Sequence, residues 1–196
     1  MDRRARNIGS LGWKCLPAVA VLALAGCSSP TPTQLALSCP KVNIIRDLAE
    51  VTQFRPGGNG PSDVVTRGLL ADFFGNCDYT SDGVTVNVNL QLMAERGPAM
   101  QNDQANFRYF VAIVRPGEEM PAVKREFDTT VRFKPLEGRV TATEELSPKI
   151  PLPVDQNAGD WNILVGFQLT PEQLEFNRVL AARASPQSPP VLTPRK

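Results

Sequence analysis

Between Val84 and Glu95 the chain alternates apolar and polar residues with a period of two. Val84, Val86, Val88, Leu90, Leu92 and Ala94 fall on one side, and Thr85, Asn87, Asn89, Gln91 and Glu95 on the other, with Met93 the one exception. Successive side chains of a strand point to opposite faces, so this segment reads as a strand with one buried face and one wet face. Arg96-Gly97-Pro98 ends it, and a polar loop runs on to Asn106.

Strand signals recur on either side. Val42 and Ile44 alternate with polar neighbours, and a short run from Leu48 to Phe54 follows. Arg55-Pro56-Gly57-Gly58-Asn59-Gly60-Pro61 reads as a loop. A phosphate cradle would need a helix directly after these glycines, and Pro61-Ser62-Asp63 leads into an alternating run instead. Val65, Leu69, Ala71 and Phe73 alternate toward Cys77, which this pattern sets just past a strand end. Asp78 to Gly83 reads as a hairpin turn signalled by Asp82-Gly83. Its two aspartates lack the spacing and closing Glu of a calcium loop.

Phe107, Tyr109, Val111 and Ile113 face Phe110, Ala112 and Val114 across their strand, and apolar residues on both faces predict a central position. After the Arg115–Glu119 turn, Val123, Phe127, Val131 and Phe133 alternate with Lys124, Glu126, Asp128, Thr130 and Arg132. Arg139 to Leu146 is a weaker strand, and Pro148, Pro151 and Pro153 mark an edge segment or loop. Trp161, Ile163, Val165, Phe167 and Leu169 give the last strand. Thr170-Pro171-Glu172-Gln173 then opens a short helix: Thr170 can cap, Pro171 suits the first helical position, and Gln173 completes a capping box. Phe176, Val179 and Leu180 are expected on its apolar side.

About seven or eight turn-punctuated strands with no interleaved helices predict an all-β fold. The expectation is an antiparallel β-sandwich, immunoglobulin-like, closed by a short C-terminal helix, with a small barrel as the second choice. The antibody-type order of Cys, Trp and Cys is not reproduced, because Trp161 follows both Cys39 and Cys77.

The N-terminus carries a different kind of signal. Arg3, Arg4, Arg6 and Lys14 precede an apolar core from Leu16 to Ala25, about ten residues long and too short to span a bilayer. Leu24-Ala25-Gly26-Cys27 ends it, and the whole segment resembles the signal peptide and lipobox of bacterial lipoproteins. The resemblance implies removal of residues 1–26 and lipidation of Cys27, with residues 27–38 as lipidated N-terminus and tether. Two or three acyl chains would hold the protein firmly on a membrane, where one binds marginally. Ser28, where an Asp would favour the inner membrane, leans toward the outer membrane with the domain in the periplasm. Residues 39–184 would form the folded domain, and 185–196 a Pro-rich disordered tail.

Loss of the signal leaves 17 basic and 19 acidic residues, a net charge near −2, and no basic cluster suited to nucleic acid. Cys15 leaves with the signal and Cys27 takes the lipid. Cys39 and Cys77 then remain as an even pair in an oxidising compartment, which favours a disulfide worth about 3–4 kcal/mol in lost chain entropy. With no histidine and two thiols a metal site is a poor alternative, and without C-x-x-C so is a redox pair. The strands, the paired cysteines and the closing VGFQLTPEQLEFNR run also resemble uncharacterised small lipoproteins of alphaproteobacteria, a resemblance that implies no activity.

The missing histidine excludes Ser-His-Asp and Cys-His catalysis. Glu118-Glu119 fall in a turn and Glu144-Glu145 on opposite faces of a strand, so neither pair is poised for acid/base work. No catalytic residue, cofactor or metal is expected. The expected function is an envelope interaction or structural module, with the 55–61 loop, the 97–106 loop and the 148–159 segment as candidate surfaces. The alternative is a carrier of a small or lipidic ligand, which would need an apolar cavity.

Overall fold

The computed structural model describes residues 37–184, so the expected signal peptide, Cys27, most of the tether and the tail from Ser185 lie outside the described residues. The strands are β1 (Lys41–Ile44), β2 (Glu50–Phe54), β3 (Val64–Thr80), β4 (Gly83–Arg96), β5 (Gln104–Val114), β6 (Val123–Arg132), β7 (Arg139–Leu146), β8 (Lys149–Ile150) and β9 (Asn162–Phe167). A helix, α1 (Pro171–Ala184), follows. One sheet has the order β1-β9-β5-β6, and the other β2-β3-β4-β7, with β8 also paired to β4. Two packed sheets replace the barrel alternative.

The alternating face of β4 sits where its pattern requires. Val84, Leu90, Leu92 and Ala94 have no exposed surface, and Val86 and Val88 are 3% exposed. Phe107, Tyr109, Val111 and Ile113 of β5 meet them from the other sheet, joined by Ile163, Val165 and Phe167 of β9. β5 lies between β9 and β6, which explains why both of its faces are apolar. Gly68 gives Phe107 room: a Cβ there would lie 2.7 Å from the ring.

β3 departs from the expected pattern in an instructive way. Its buried residues are Val64, Thr66, Gly68 and Leu70, the face opposite to the one expected from Val65 and Leu69. Thr66 is tolerated there because its hydroxyl donates to the Glu95 carbonyl at 2.8 Å. The register with β4 shifts between Leu70 and Asp72, leaving Ala71 as an extra residue. Such a bulge exchanges the two faces of a strand, so Phe73, Cys77 and Tyr79 turn inward against the core. β3 then continues for 17 residues, and the hairpin narrows to Ser81-Asp82 between the paired Thr80 and Gly83. Cys77 therefore lies within the strand, opposite Val86, and not past its end.

A purely antiparallel arrangement does not hold. β1 pairs with β9 in parallel, Val42 beside Ile163 and Ile44 beside Val165, so the first sheet is mixed. The helix starts as its capping box dictates: the Gln173 amide donates to Thr170 Oγ1 at 3.2 Å and the Thr170 amide to Gln173 Oε1 at 3.0 Å. It packs through Phe176, edge-on to Phe54 at 5.3 Å, and through Asn177, whose amide bonds the carbonyls of Asp47 and Glu50. Val179 and Leu180 of the expected apolar side stay exposed because α1 packs mainly on β2 and the turn at Arg46–Leu48.

Leu92 is central and has no exposed surface. Leu92→Ala should cost about 2–5 kcal/mol, read in urea unfolding as a lower midpoint at unchanged slope.

Candidate interaction surface

Two regions join the elements that a partner or a tether could use. The first is where the chain enters the fold. Cys39 and Cys77 form a disulfide across 38 positions of sequence, with Cα atoms 5.7 Å apart. The Tyr79 hydroxyl donates to the Ser38 carbonyl at 2.7 Å and accepts from the Ala158 amide at 2.8 Å. Asn157 Oδ1 accepts from the amides of Ser38 (3.2 Å) and Gly159 (2.8 Å). Ser38 and Cys39 are thus tied to β3 by a covalent bond as well as by hydrogen bonds.

The second region is the margin where β6 edges one sheet and β7 edges the other. Val123, Arg125, Phe127, Thr129 and Val131 of β6 pair with the inner-face residues of β5. Val131 is 2% exposed, as its place on that face requires, yet Val123 is 45% and Phe127 36% exposed. Full burial of this face would need a further strand beyond β7, and β7 is the last of its sheet. The result is a cleft of about 430 Å³ floored by Val111, Ile113 and Leu146 and flanked by Phe127, Arg125 and Lys149. Phe127 stacks on Tyr109 at 5.4 Å. Lys149 is held by Asp82 at 2.6 Å. The Arg125 side chain has no hydrogen bond or ion pair among the described residues.

One carboxylate closes the rest of the margin. Glu144, on the inner face of β7, accepts from Thr129 Oγ1 at 2.6 Å and from the Tyr109 hydroxyl at 3.2 Å. Burial first, and then the Glu144 charge, hold the Tyr109 phenol well above its ordinary pKa, so it remains a proton donor. Glu145 points the other way, as its position on a strand predicts. Glu118 is paired with Arg115 at 3.5 Å.

The three loops expected from sequence to be surfaces separate into two ends of the fold. Residues 55–61 are organised by Asp63, whose carboxylate accepts from the amides of Asn59 and Gly60 and from Arg55. The Gly60 amide, and then Arg55, hold its pKa below the usual carboxylate value. Pro61, Gly97 and Pro98 line one small pocket there, and Arg96 bonds Asp103 at 2.8 Å while lying 5.0 Å over the Phe133 ring. The 148–159 segment lies at the opposite end, and its Pro148 and Lys149 reach the cleft. The alternation of β6 places Arg125 on an apolar face, and that misfit is the signal in the residues for an unfinished margin.

Among the described residues no group of three or more His, Cys, Asp or Glu side chains could hold a metal ion, and no helix is long and apolar enough to cross a membrane. No protein-family model matches the chain, and neither the curated proteins nor the solved structures contain a significant match to it.

Glu144→Ala should cost about 1–3 kcal/mol in chemical denaturation, because it strands the buried Tyr109 hydroxyl. Adding Tyr109→Phe should recover part of that loss. Asp82 gives a pH test. The Lys149 hydrogen bond, followed by that from Thr80, lowers its pKa from 3.8 to about 2. A depressed carboxylate contributes stability above its unfolded pKa and loses it as pH falls through the folded value. NMR titration of the Asp82 carboxyl should therefore have its midpoint near 2, and Lys149→Ala should move that midpoint back toward 3.8.

Proposed function

We propose that this chain is a lipid-anchored, non-catalytic envelope protein that offers the β6–β7 margin to a protein partner. The observation that carries the reading is the exposure of Val123 and Phe127 on the inner face of β6, beside the cleft over Val111 and Ile113. Apolar side chains beside an unpaired strand edge suit an added strand, whose backbone would bond β6 while alternate side chains enter the cleft. Cys27 would carry the lipid, Ser28 would direct it to the outer membrane, and the domain would face the periplasm. The disulfide between Cys39 and Cys77, where the expected tether of residues 27–38 would meet the folded domain, supports a role in which the tether is loaded.

The same reading treats the topology as an immunoglobulin-like derivative. The chain passes from β4 to β5 in the other sheet, returns from β6 to β7, and crosses again to β9. The N-terminal β1 then occupies the position beside β9 that a final antiparallel strand would take.

A carrier function is the second reading, favoured by the volume of the cleft, about 430 Å³, which is within the range of small-ligand sites. The docking reading is preferred because the cleft lies along the β6 edge and no residue of β4 lines it.

Lipidation is tested by feeding palmitate label and separating detergent from aqueous phases. The wild-type chain should carry label and enter the detergent phase, and Cys27→Ala should lose both properties. An unlabelled, water-soluble wild type would remove the anchor from the account.

A further inference from the structure

The unpaired edge of β6 spans Val123–Arg132, and among the described residues no backbone hydrogen bond joins it on the side away from β5. Its outer-face side chains carry charge in an order that can be read against itself. Opposed residues of an antiparallel pair share a face, so a twofold axis relating two β6 strands must pass through a residue rather than between two. An axis through Arg125, Glu126 or Asp128 sets like charges directly opposite each other, and one through Phe127 sets Glu126 against Asp128.

An axis through Thr129 sets no like charges opposite each other over 126–132. Glu126 faces Arg132 twice, Phe127 faces Val131 twice, Asp128 faces Thr130 twice, and Thr129 faces itself. Opposite charges, apolar pairs and Thr–Thr pairs are the cross-strand combinations that stabilise a sheet. Arg132 is free for this contact, having no side-chain ion pair among the described residues, and Glu126 would share its carboxylate between Arg132 and Lys124, which lies 3.3 Å away on the same strand. Arg125, the inward charge that would obstruct a longer pairing, falls beyond the paired stretch. An axis through Thr130 also opposes unlike charges, but it keeps only residues 128–132 within the strand and relies on Asp128, already bound to Arg108 at 2.8 Å.

We propose that two copies of this chain associate by antiparallel pairing of their β6 strands about Thr129, joining β1-β9-β5-β6 of each into one continuous sheet. This deepens the docking reading of the β6–β7 margin and rests on it. Seven paired residues per copy make a small interface, so the association is reversible and concentration-dependent.

The register is tested by charge reversal on the full chain in detergent, with mass read by sedimentation. The wild-type chain should form dimers. Glu126→Arg should set like charges opposite each other in two places, and so should Arg132→Glu, each weakening association roughly tenfold or more. An equimolar mixture of the two variants should dimerise again, because each copy then supplies the charge the other needs. Dimers that survive both single substitutions, or variants that fail to associate when mixed, would overturn this register. A wild-type chain that is monomeric at every concentration would overturn self-pairing. In that case slowed amide exchange of β6 in intact membranes would leave docking of another partner standing, and unslowed exchange there would remove both.

Discussion

The whole arrangement depends on burying one face of β4. Its inward residues from Val84 to Ala94 are apolar without interruption, and the first sheet is the cover they require. β3 and β7 flank β4 within its own sheet, and β8 extends the pairing past the end of β7. A defect elsewhere is accommodated to keep this face covered. β3 enters with its even-numbered residues inward, loses register at Ala71, and leaves with Phe73, Cys77 and Tyr79 inward. The bulge is what allows Cys77 to reach Cys39 while Leu70 still packs opposite Leu92.

Where the cover runs out, the surface changes character. β6 extends over a margin that β7 and β8 only partly fill, so its inner face changes from buried Val131 to exposed Val123 within one strand. Thr129 and Tyr109 meet Glu144 between these limits, and a carboxylate accepts both donors where an aliphatic side chain would leave the buried phenol unpaired. Charge on an edge is also how sheets limit unwanted pairing. Arg125 on the inner face shortens the stretch of β6 that another strand can occupy.

Much of this is legible in the residues. The β4 alternation, the two-faced apolar β5 and the Thr170–Gln173 box each follow from a local rule in which one interaction outweighs its competitors, and each stands as that rule requires, while the Cys39–Cys77 disulfide follows from counting the cysteines left to an exported domain. The faces of β3 are not legible, because a single unpaired residue reverses parity and Ala71 has no sequence mark as a bulge. Parallel pairing of β1 with β9 joins segments more than a hundred residues apart, and nothing local in Val42 or Ile44 selects that neighbour. Alternation predicts burial of Val123 and Phe127, but it assigns a face without saying whether a second sheet extends far enough to cover it.

The core is closed while the β6 edge is open, and residue-resolved amide exchange on the dilute monomer measures both at once. β4 is paired on both sides along most of its length, so its amides should exchange slowly throughout. β6 is paired on one side, so its amides should alternate between slow, where they bond β5, and fast, where they face outward. Uniformly slow exchange along β6 in the monomer would mean that another part of the chain covers the edge, and the account of an open margin would be wrong.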